Sequence, residues 1–180
     1  MKALFIGRFQ PFHKGHLEVL KNLSNIYEFI IGIGSAQYSY TYDNPFTLEE
    51  RVEMIKAALD ETLVRYELVA IPDIHNYPKW VDHVTSLAPP FDIVLSNNPL
   101  TRRLFTEKGY KVEGTPLYNR RLYSGEEIRR RISLDEPWEE LVPRRVARII
   151  HSIGGVERIK KLYREGKKKS SSPKRIDYTS

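Results

Sequence analysis

Short apolar runs rich in β-branched or aromatic residues alternate with amphipathic stretches through the first two thirds of the 180-residue chain. This alternation is typical of strands and helices that follow one another in sequence. Such an order favours a mostly parallel sheet covered by helices on both faces, because parallel strands need crossover connections. Strands are predicted at residues 3–6, 29–33, 67–71, 93–95 and 111–113.

Helix starts are marked by capping signals. Thr47 and Glu50 form a capping box that opens a helix predicted to end near residue 59. Pro78 and Pro143 suit first-turn positions, where a missing N–H costs nothing. After the fifth strand the pattern is wholly helical, over residues 124–132, 143–153 and 156–163, the last after a break at Gly154-Gly155.

The predicted fold is therefore an α/β, Rossmann-like doubly wound parallel sheet of about five strands with a C-terminal helical extension. We expect one domain over residues 1–165, with its sheet core at 1–115 and helical part at 116–165, and a basic flexible tail at 166–180. Ligands bind such sheets at the carboxyl ends of the strands, where the strand order reverses. The loops after the first and fourth strands are thus the expected site.

The charge of the chain is unevenly distributed. Of the net +6, the whole surplus lies from Lys160 onward, where eight basic and two acidic side chains occur. A neutral body with a basic end favours a solvated tail over a nucleic-acid platform. With no cysteine and no long apolar span, a cytoplasmic protein without a membrane segment is expected.

Gly7-Arg8-Phe9-Gln10-Pro11-Phe12-His13-Lys14-Gly15-His16 lies between the first strand and the apolar periodicity of the next helix. Free N–H groups at a helix N-terminus attract phosphate, and Gly15 removes a side chain where a ligand would approach. His13 and His16 can both reach the same phosphates as donors, which lowers the barrier to attack on phosphorus.

Other interpretations of the two histidines fit less well. A bare pair is as often incidental or metal-binding. No H-E-x-x-H, cysteine or third ligand supports zinc, so no protein metal site is predicted. The segment is neither a Walker loop nor a G-x-G-x-x-G fingerprint.

At residues 2–162 the chain resembles the HxGH nucleotidyltransferases, and closely resembles the archaeal-type nicotinamide-nucleotide adenylyltransferases. The resemblance lies in the segment from Gly7 to His16, Ile33 to Gln37, Asn44 to Thr47 with Glu50-Arg51, Trp80-Val81, and Tyr123 to Arg131. The two-histidine element alone is also shared by class I aminoacyl-tRNA synthetases, whose chains are much longer.

The resemblance implies roles that the residues alone leave open. Taken alone, Ser124 is a helix cap, Arg129 to Arg131 a solvated face, and Trp80 a core residue. With the resemblance, Ser124 and Arg129 hold the β- and γ-phosphates, Arg8 assists near the reacting groups, and Trp80 stacks on the nicotinamide ring. The implied sets are catalytic His13, His16, Arg8 and Arg129; ATP-binding Gly7, Phe9, Gln10, Gly15, Ser124 and Ile128; and acceptor-binding Trp80, Asn76 and Asn98.

The implied reaction joins ATP and nicotinamide mononucleotide (NMN) into NAD and pyrophosphate by direct in-line transfer, with Mg²⁺ held by phosphates and water. A homo-oligomer is also implied. The nearest alternative is another phosphate acceptor on the same scaffold: nicotinic acid mononucleotide, pantetheine phosphate or flavin mononucleotide. A nucleic-acid-binding module that uses the basic tail is the alternative from a different class. His75, His83 and His151 match no motif.

Four positions depart from the pattern of most relatives. Asn97 stands where many carry glycine, which suggests a backbone with positive φ. Glu126 replaces a hydroxyl near phosphate, and Asp43 replaces a basic residue. Tyr77 stands where most relatives carry an asparagine, and the asparagine of this chain, Asn76, lies one position earlier.

Overall fold

A computed structural model describes residues 1–116 and 118–170, and the side chains of 168–170 are not described. The five strands form one parallel sheet in the order β3-β2-β1-β4-β5. The fold class is confirmed, and the order reverses between β1 and β4, as in doubly wound sheets. The strands are β1 (Lys2–Gly7), β2 (Glu28–Gly34), β3 (Tyr66–Ile71), β4 (Ile93–Leu95) and β5 (Val112–Glu113).

The central strands are buried on both faces. In β1, Ala3 packs into one hydrophobic cluster and Leu4 into the other, because successive side chains of a strand point to opposite faces. Ile30 and Ile31 divide in the same way on β2. The near-continuous apolar runs of these strands follow from that two-sided burial.

The helices cover the sheet, and the helices after the last strand form a C-terminal extension of the domain. Thr47 and Glu50 form the capping box that opens the second helix, as predicted. Pro78 lies in the first turn of the third helix, whereas Pro143 is the N-cap residue of the sixth. The helices are α1 (Lys14–Asn22), α2 (Leu48–Leu59), α3 (Tyr77–Leu87), α4 (Pro99–Glu107), α5 (Gly125–Ser133), α6 (Arg144–Ser152) and α7 (Gly155–Ser170), with a 3₁₀ turn at Glu139–Leu141.

Two details of the chain's organisation differ from expectation. Helix α4, which begins at Pro99, was not predicted. The tail boundary expected at Gly166 falls inside α7, because one glycine among good helix formers does not end a helix. Residues 171–180 of the predicted tail lie outside the described residues. No helix among the described residues is long and apolar enough to cross a membrane.

Candidate active site

Two cavities open side by side at the carboxyl edge of the sheet. The histidine cavity, of about 320 Å³, lies at the switch point between β1 and β4, where the strand order predicts a ligand. The tryptophan cavity, of about 290 Å³, lies between the loops after β3 and β4, and Asn98 lines both. The histidine cavity is lined by Phe5, Ile6, His13, Gly15, His16, Val19, Leu95, Ser96, Asn97, Asn98, Thr115, Pro116, Tyr118, Arg120, Tyr123, Ser124 and Gly125. The tryptophan cavity is lined by Asp73, Ile74, His75, Asn76, Tyr77, Trp80, Asn98, Leu100, Thr101 and Leu104.

His13 and His16 build the start of α1 together. His13 is the N-cap residue, and its Nδ1 accepts the backbone N–H of His16 at 3.4 Å. The Nδ1 of His16 accepts the backbone N–H of His13 at 3.1 Å, which completes a capping box made of two imidazoles. The rings stack with their centroids 3.6 Å apart.

This arrangement fixes where each ring carries its proton. Because Nδ1 of both rings accepts a hydrogen bond, the neutral tautomer of each has its proton on Nε2. Burial lowers the pKa of His13 to about 3. Burial, and then the neighbouring His13, hold the pKa of His16 well below its ordinary value. Both rings are therefore neutral near pH 7, and each has one N–H to donate.

Glycines at two positions allow side chains of the site to approach the backbone. A Cβ on Gly15 would lie 2.9 Å from the His13 ring, so a larger residue there would displace it. A Cβ on Gly125 would lie 2.7 Å from Nη1 of Arg129. The need for glycine at both sites arises within the protein itself, before any ligand is considered.

Helix α5 presents its N-terminus to the histidine cavity. Ser124 is its N-cap residue and accepts the backbone N–H of Glu127 at 3.1 Å, as predicted. Ile128, expected in the ATP-binding set, is fully buried and is not among the residues that line the histidine cavity. Arg129 is 3% exposed and donates from Nη1 to the carbonyl of Gln10 at 2.8 Å. Its buried Nε has no hydrogen-bond partner among the described residues.

Three arginines concentrate positive charge beneath the loop after β1. Burial, followed by the charge of Arg8, lowers the pKa of both Arg51 and Arg129. Asp43 acts on Arg129 in the opposite direction, which places that acid close to the site. Arg8 itself is exposed and reaches Asn44 Oδ1 at 3.4 Å. Buried guanidinium groups near a third one leave an excess of positive charge that an anion would compensate.

Arg51, which belongs to one motif of the resemblance, is the least exposed charged residue in the part of the chain that the structure describes. It is 0% exposed and its guanidinium donates to six backbone carbonyls rather than to a carboxylate. The shortest of these bonds, both 2.9 Å, reach Arg8 and Gly34. Arg51 therefore ties the loop after β1 to the loop after β2. The carbonyls belong to Arg8, Gly34, Ser35, Ala36, Tyr38 and Thr47.

The remaining residues of the predicted ATP set lie under the histidines. Gly7 ends β1, and Phe9 follows it with a φ of 53° and its ring 4.7 Å from that of His16. The carboxamide of Gln10 donates to the carbonyl of Phe46 at 3.0 Å and accepts the backbone N–H of Phe46 at 2.9 Å. The Gln10 side chain thus supports the loop instead of facing the cavity.

The tryptophan cavity brings together the residues predicted to bind the acceptor. Trp80 lines it and packs edge-on against Phe105, with ring centroids 5.5 Å apart. Asn76 and Asn98 are the N-cap residues of α3 and α4, so the side-chain oxygen of each already accepts a backbone N–H. Tyr77 lies at the same cavity, with 62% of its surface exposed.

His75, which matches no motif, also lines the tryptophan cavity. Its φ is 52°, and its Nε2 lies 2.6 Å from the hydroxyl of Tyr38. His83 and His151 stay outside both cavities: His83 bonds the carbonyl of Pro72, and His151 lies against Trp138.

The positive φ expected at Asn97 is wrong. Asn97 is not among the described residues with positive φ. Its side chain instead contacts Thr115: the NH₂ group of Asn97 donates to the Thr115 carbonyl, and its Oδ1 accepts the Thr115 backbone N–H. Three other lining residues were not predicted, since the segment between β5 and Tyr123 carries no recognisable motif: Thr115, Tyr118 and Arg120. Tyr123, which begins a motif of the resemblance, also lines the cavity.

Comparison with known proteins agrees with this geometry. A family model described as cytidylyltransferase-like matches residues 4–131. The nicotinamide-nucleotide adenylyltransferase of Methanococcus aeolicus is 52% identical over 163 residues, which cover 90% of this chain and 95% of that protein. The enzyme of the same name from Archaeoglobus fulgidus is 50% identical over 171 residues, covering 90% and 97%.

Solved structures share the fold. A bifunctional NMN adenylyltransferase/ADP ribose pyrophosphatase from Francisella tularensis, complexed with AMP and manganese, superposes with a TM-score of 0.72 at 23% identity. The match covers 92% of this chain but only 52% of that longer one. A nicotinic acid mononucleotide adenylyltransferase from Plasmodium falciparum gives a TM-score of 0.55 at 11% identity, covering 87% and 96%. At these identities the likeness shows the fold alone.

Proposed function

The chain belongs to the nicotinamide-nucleotide adenylyltransferase family, as the resemblance in its sequence predicted, and on that premise we propose how its two cavities divide the reaction. ATP lies in the histidine cavity and NMN in the tryptophan cavity. The observation that carries this assignment is that Asn98 lines both cavities. Because the cavities are adjacent at this residue, the reacting groups of two bound substrates can come into contact.

The chemical step is direct attack. An oxygen of the NMN phosphate forms a bond to the α-phosphorus of ATP while the bond from that phosphorus to the bridging oxygen breaks. The products are NAD and pyrophosphate. An ionised phosphate needs no general base, so the protein contributes position and charge stabilisation.

The two histidines act as neutral donors in this step. The Nε2–H groups of His13 and His16 donate to phosphate oxygens whose charge grows as the bond breaks. Their Nδ1 atoms are held by backbone N–H groups, so the donors are oriented before substrate arrives. Arg8 and Arg129, with Ser124 at the start of α5, bind the departing phosphates.

Trp80 and the two capping asparagines receive the acceptor. The indole ring offers a plane to the positively charged nicotinamide ring, which adds a cation–π attraction to the stacking. Asn76 and Asn98 keep their amide N–H groups available, since only their oxygens are used as caps.

A divalent ion accompanies the triphosphate. The described part of the chain contains no group of three side chains able to cage a metal ion. We infer that Mg²⁺ would enter with ATP, held by phosphate and water. Cytoplasmic location and a homo-oligomeric state remain predictions, and light scattering after size exclusion tests the second.

An acceptor panel tests the assignment. The protein is incubated with ATP, Mg²⁺ and one acceptor at a time: NMN, nicotinic acid mononucleotide, pantetheine phosphate or flavin mononucleotide. Pyrophosphate release is expected with NMN. Release with only a non-pyridine acceptor would contradict the proposal. Binding of DNA or RNA that disappears on deleting the basic tail at residues 166–180, with no release for any acceptor, would support the nucleic-acid alternative.

A further inference from the structure

Three side-chain carboxamides at the carboxyl edge of the sheet each make two hydrogen bonds to the backbone of a neighbouring loop, and that of Asn97 also donates to the Thr115 hydroxyl at 2.8 Å. The carbonyl oxygen of Gln37 accepts the backbone N–H of Asp73, and its NH₂ donates to the Asp73 carbonyl, both at 2.8 Å. Asn97 pairs with the backbone of Thr115 in the same manner, at 2.9 and 3.0 Å. Gln10 pairs likewise with Phe46. We call each of these paired contacts a carboxamide clip.

A carboxamide carries one acceptor and two donors, so it can imitate the peptide group of a missing strand neighbour. The last pair of the β4–β5 ladder is Leu95 with Glu113. Asn97 and Thr115 are the next pair of that register, two residues further along each strand. The clip therefore continues the ladder beyond the point where the backbones have separated.

The Gln37 clip occupies the corresponding place beside β2 and β3. Their ladder ends at Gly34 with Ile71, and Asp73 follows two residues later. Ser35 Oγ also donates to the Asp73 carboxylate, at 2.7 Å. The start of the loop after β3 is thus held by side chains from the loop after β2.

Each of these two clips holds the wall of a different cavity. Asp73 begins the segment to Asn76 that lines the tryptophan cavity, and Thr115 begins the segment that lines the histidine cavity. Gln37 is not among the lining residues of either cavity. Gln37 can therefore affect the acceptor only indirectly, through Asp73 or through the adjacent Tyr38, whose hydroxyl lies 2.6 Å from Nε2 of His75.

We propose that Gln37 and Asn97 are positioning residues that set the affinity for different substrates, Gln37 for the acceptor nucleotide and Asn97 for ATP. Asn97 itself lines the histidine cavity, but its carboxamide is bonded to Thr115, so it acts by holding that wall. The division rests on the proposed placement of the two substrates. The clips themselves are observed contacts, and they can be tested without turnover. Substitution of a clip leaves the strands intact, since it lies beyond the last ladder pairs.

The first measurement is amide hydrogen exchange in the ligand-free protein. In Gln37→Ala, exchange at Asp73 is expected to accelerate roughly tenfold while exchange at Thr115 stays unchanged, because only one clip has lost its acceptor. Asn97→Ala is expected to give the reverse. Asn25→Ala is the matched control, since Asn25 is an exposed carboxamide with no hydrogen bond in the described part of the chain.

The second measurement is the KM for each substrate. Gln37→Ala should raise the KM for NMN roughly tenfold with little change for ATP, and Asn97→Ala should raise the KM for ATP with little change for NMN. Unchanged exchange in the variants, or equal shifts of both KM values in both variants, would overturn the proposal. Crossed exchange without crossed KM values would also overturn it, because the clips would then be structural only.

Failure of the proposed function would look different. The wild-type protein would then form no NAD from ATP and NMN. Dissociation constants for ATP and NMN, measured by calorimetry, would replace the KM values in that case. A crossed pattern in those constants would still support the two clips, and equal shifts would refute them.

Discussion

The imidazole rings of His13 and His16 stack 3.6 Å apart while each Nδ1 accepts the backbone N–H of the other residue. These two hydrogen bonds therefore cap α1 and fix the tautomer of each ring. They leave the Nε2–H group of each ring free to donate to phosphate. The spacing of three positions follows from the geometry of a helix start, where the N-cap and N3 residues bond each other. Gly15 lies between them because a Cβ there would strike the His13 ring.

Replacing His16 removes a transition-state donor. We expect His16→Ala to lower kcat for NAD formation by roughly a hundredfold or more, with a smaller effect on either KM. Steady-state kinetics measures this change. His16→Gln separates catalysis from capping, because Gln at N3 can restore the capping box and the stability lost in His16→Ala, but not the imidazole donor. Near-normal turnover in either variant would remove His16 from the mechanism.

Stability should depend on pH through the buried histidines. In the folded protein burial keeps the His13 pKa at about 3, against 6.5 in the unfolded chain, and His16 is also lowered. Below pH 6.5 the unfolded state therefore binds more protons, so the free energy of unfolding rises with pH and falls on acidification. The loss approaches about 1.4 kcal/mol per pH unit for each histidine well below pH 6.5.

His13→Asn isolates one part of that pH dependence, because asparagine retains an acceptor at the N-cap and does not titrate. Urea unfolding between pH 6.5 and 5 should give a shallower decline of stability in this variant than in the wild type. Identical slopes in the two proteins would show that His13 is not held neutral by burial.

Arg51→Met should destabilise the protein strongly. The change leaves carbonyls of two loops without their donor, and we expect a loss of about 3 kcal/mol or more in the free energy of unfolding. Arg65→Met is the matched control, since Arg65 is 81% exposed and pairs with Glu28 at 3.4 Å. That exposed pair should contribute less than about 1 kcal/mol. Comparable urea midpoints for the two variants would contradict the structural role of Arg51.

Trp80→Leu should weaken binding of the acceptor NMN without weakening binding of ATP. Loss of the aromatic plane is expected to raise the KM for NMN roughly tenfold while the KM for ATP changes little. Trp80→Phe keeps a ring and the contact with Phe105, so its effect should be smaller. If both variants change the KM for ATP as much as that for NMN, Trp80 belongs to the general packing of the cavity edge.

The sequence predicted the sheet well because its strands are buried on both faces. β4 was placed at the observed residues, and β1 and β2 each extend one residue further at both ends than expected. Capping residues gave the start of α2, since Thr47 and Glu50 reveal their role through local spacing alone. Helix α4 was not predicted because proline is common both in loops and in the first turn of a helix, so Pro99 does not distinguish the two.

The site was predictable where chemistry is local and not where it depends on tertiary contacts. Ser124 was predicted as a helix cap because the cap and its helix are adjacent in sequence. The cap formed by His13 was not predicted, since histidine is not among the preferred N-cap residues. Asn97 and Arg51 act on carbonyls far along the chain, and nothing in the local sequence indicates those partners. His75 faces the tryptophan cavity only because of where β3 ends, which no motif encodes.

The most direct test of the central claim follows the oxygen atoms of the transferred group. NMN whose phosphate is labelled with a heavy oxygen isotope is incubated with unlabelled ATP and Mg²⁺, and the masses of the products are measured by mass spectrometry. Attack of the NMN phosphate on the α-phosphorus of ATP should leave all of the label in NAD and none in pyrophosphate, with the two products formed in equal amounts. Label in the pyrophosphate, or no NAD at all, would contradict the account.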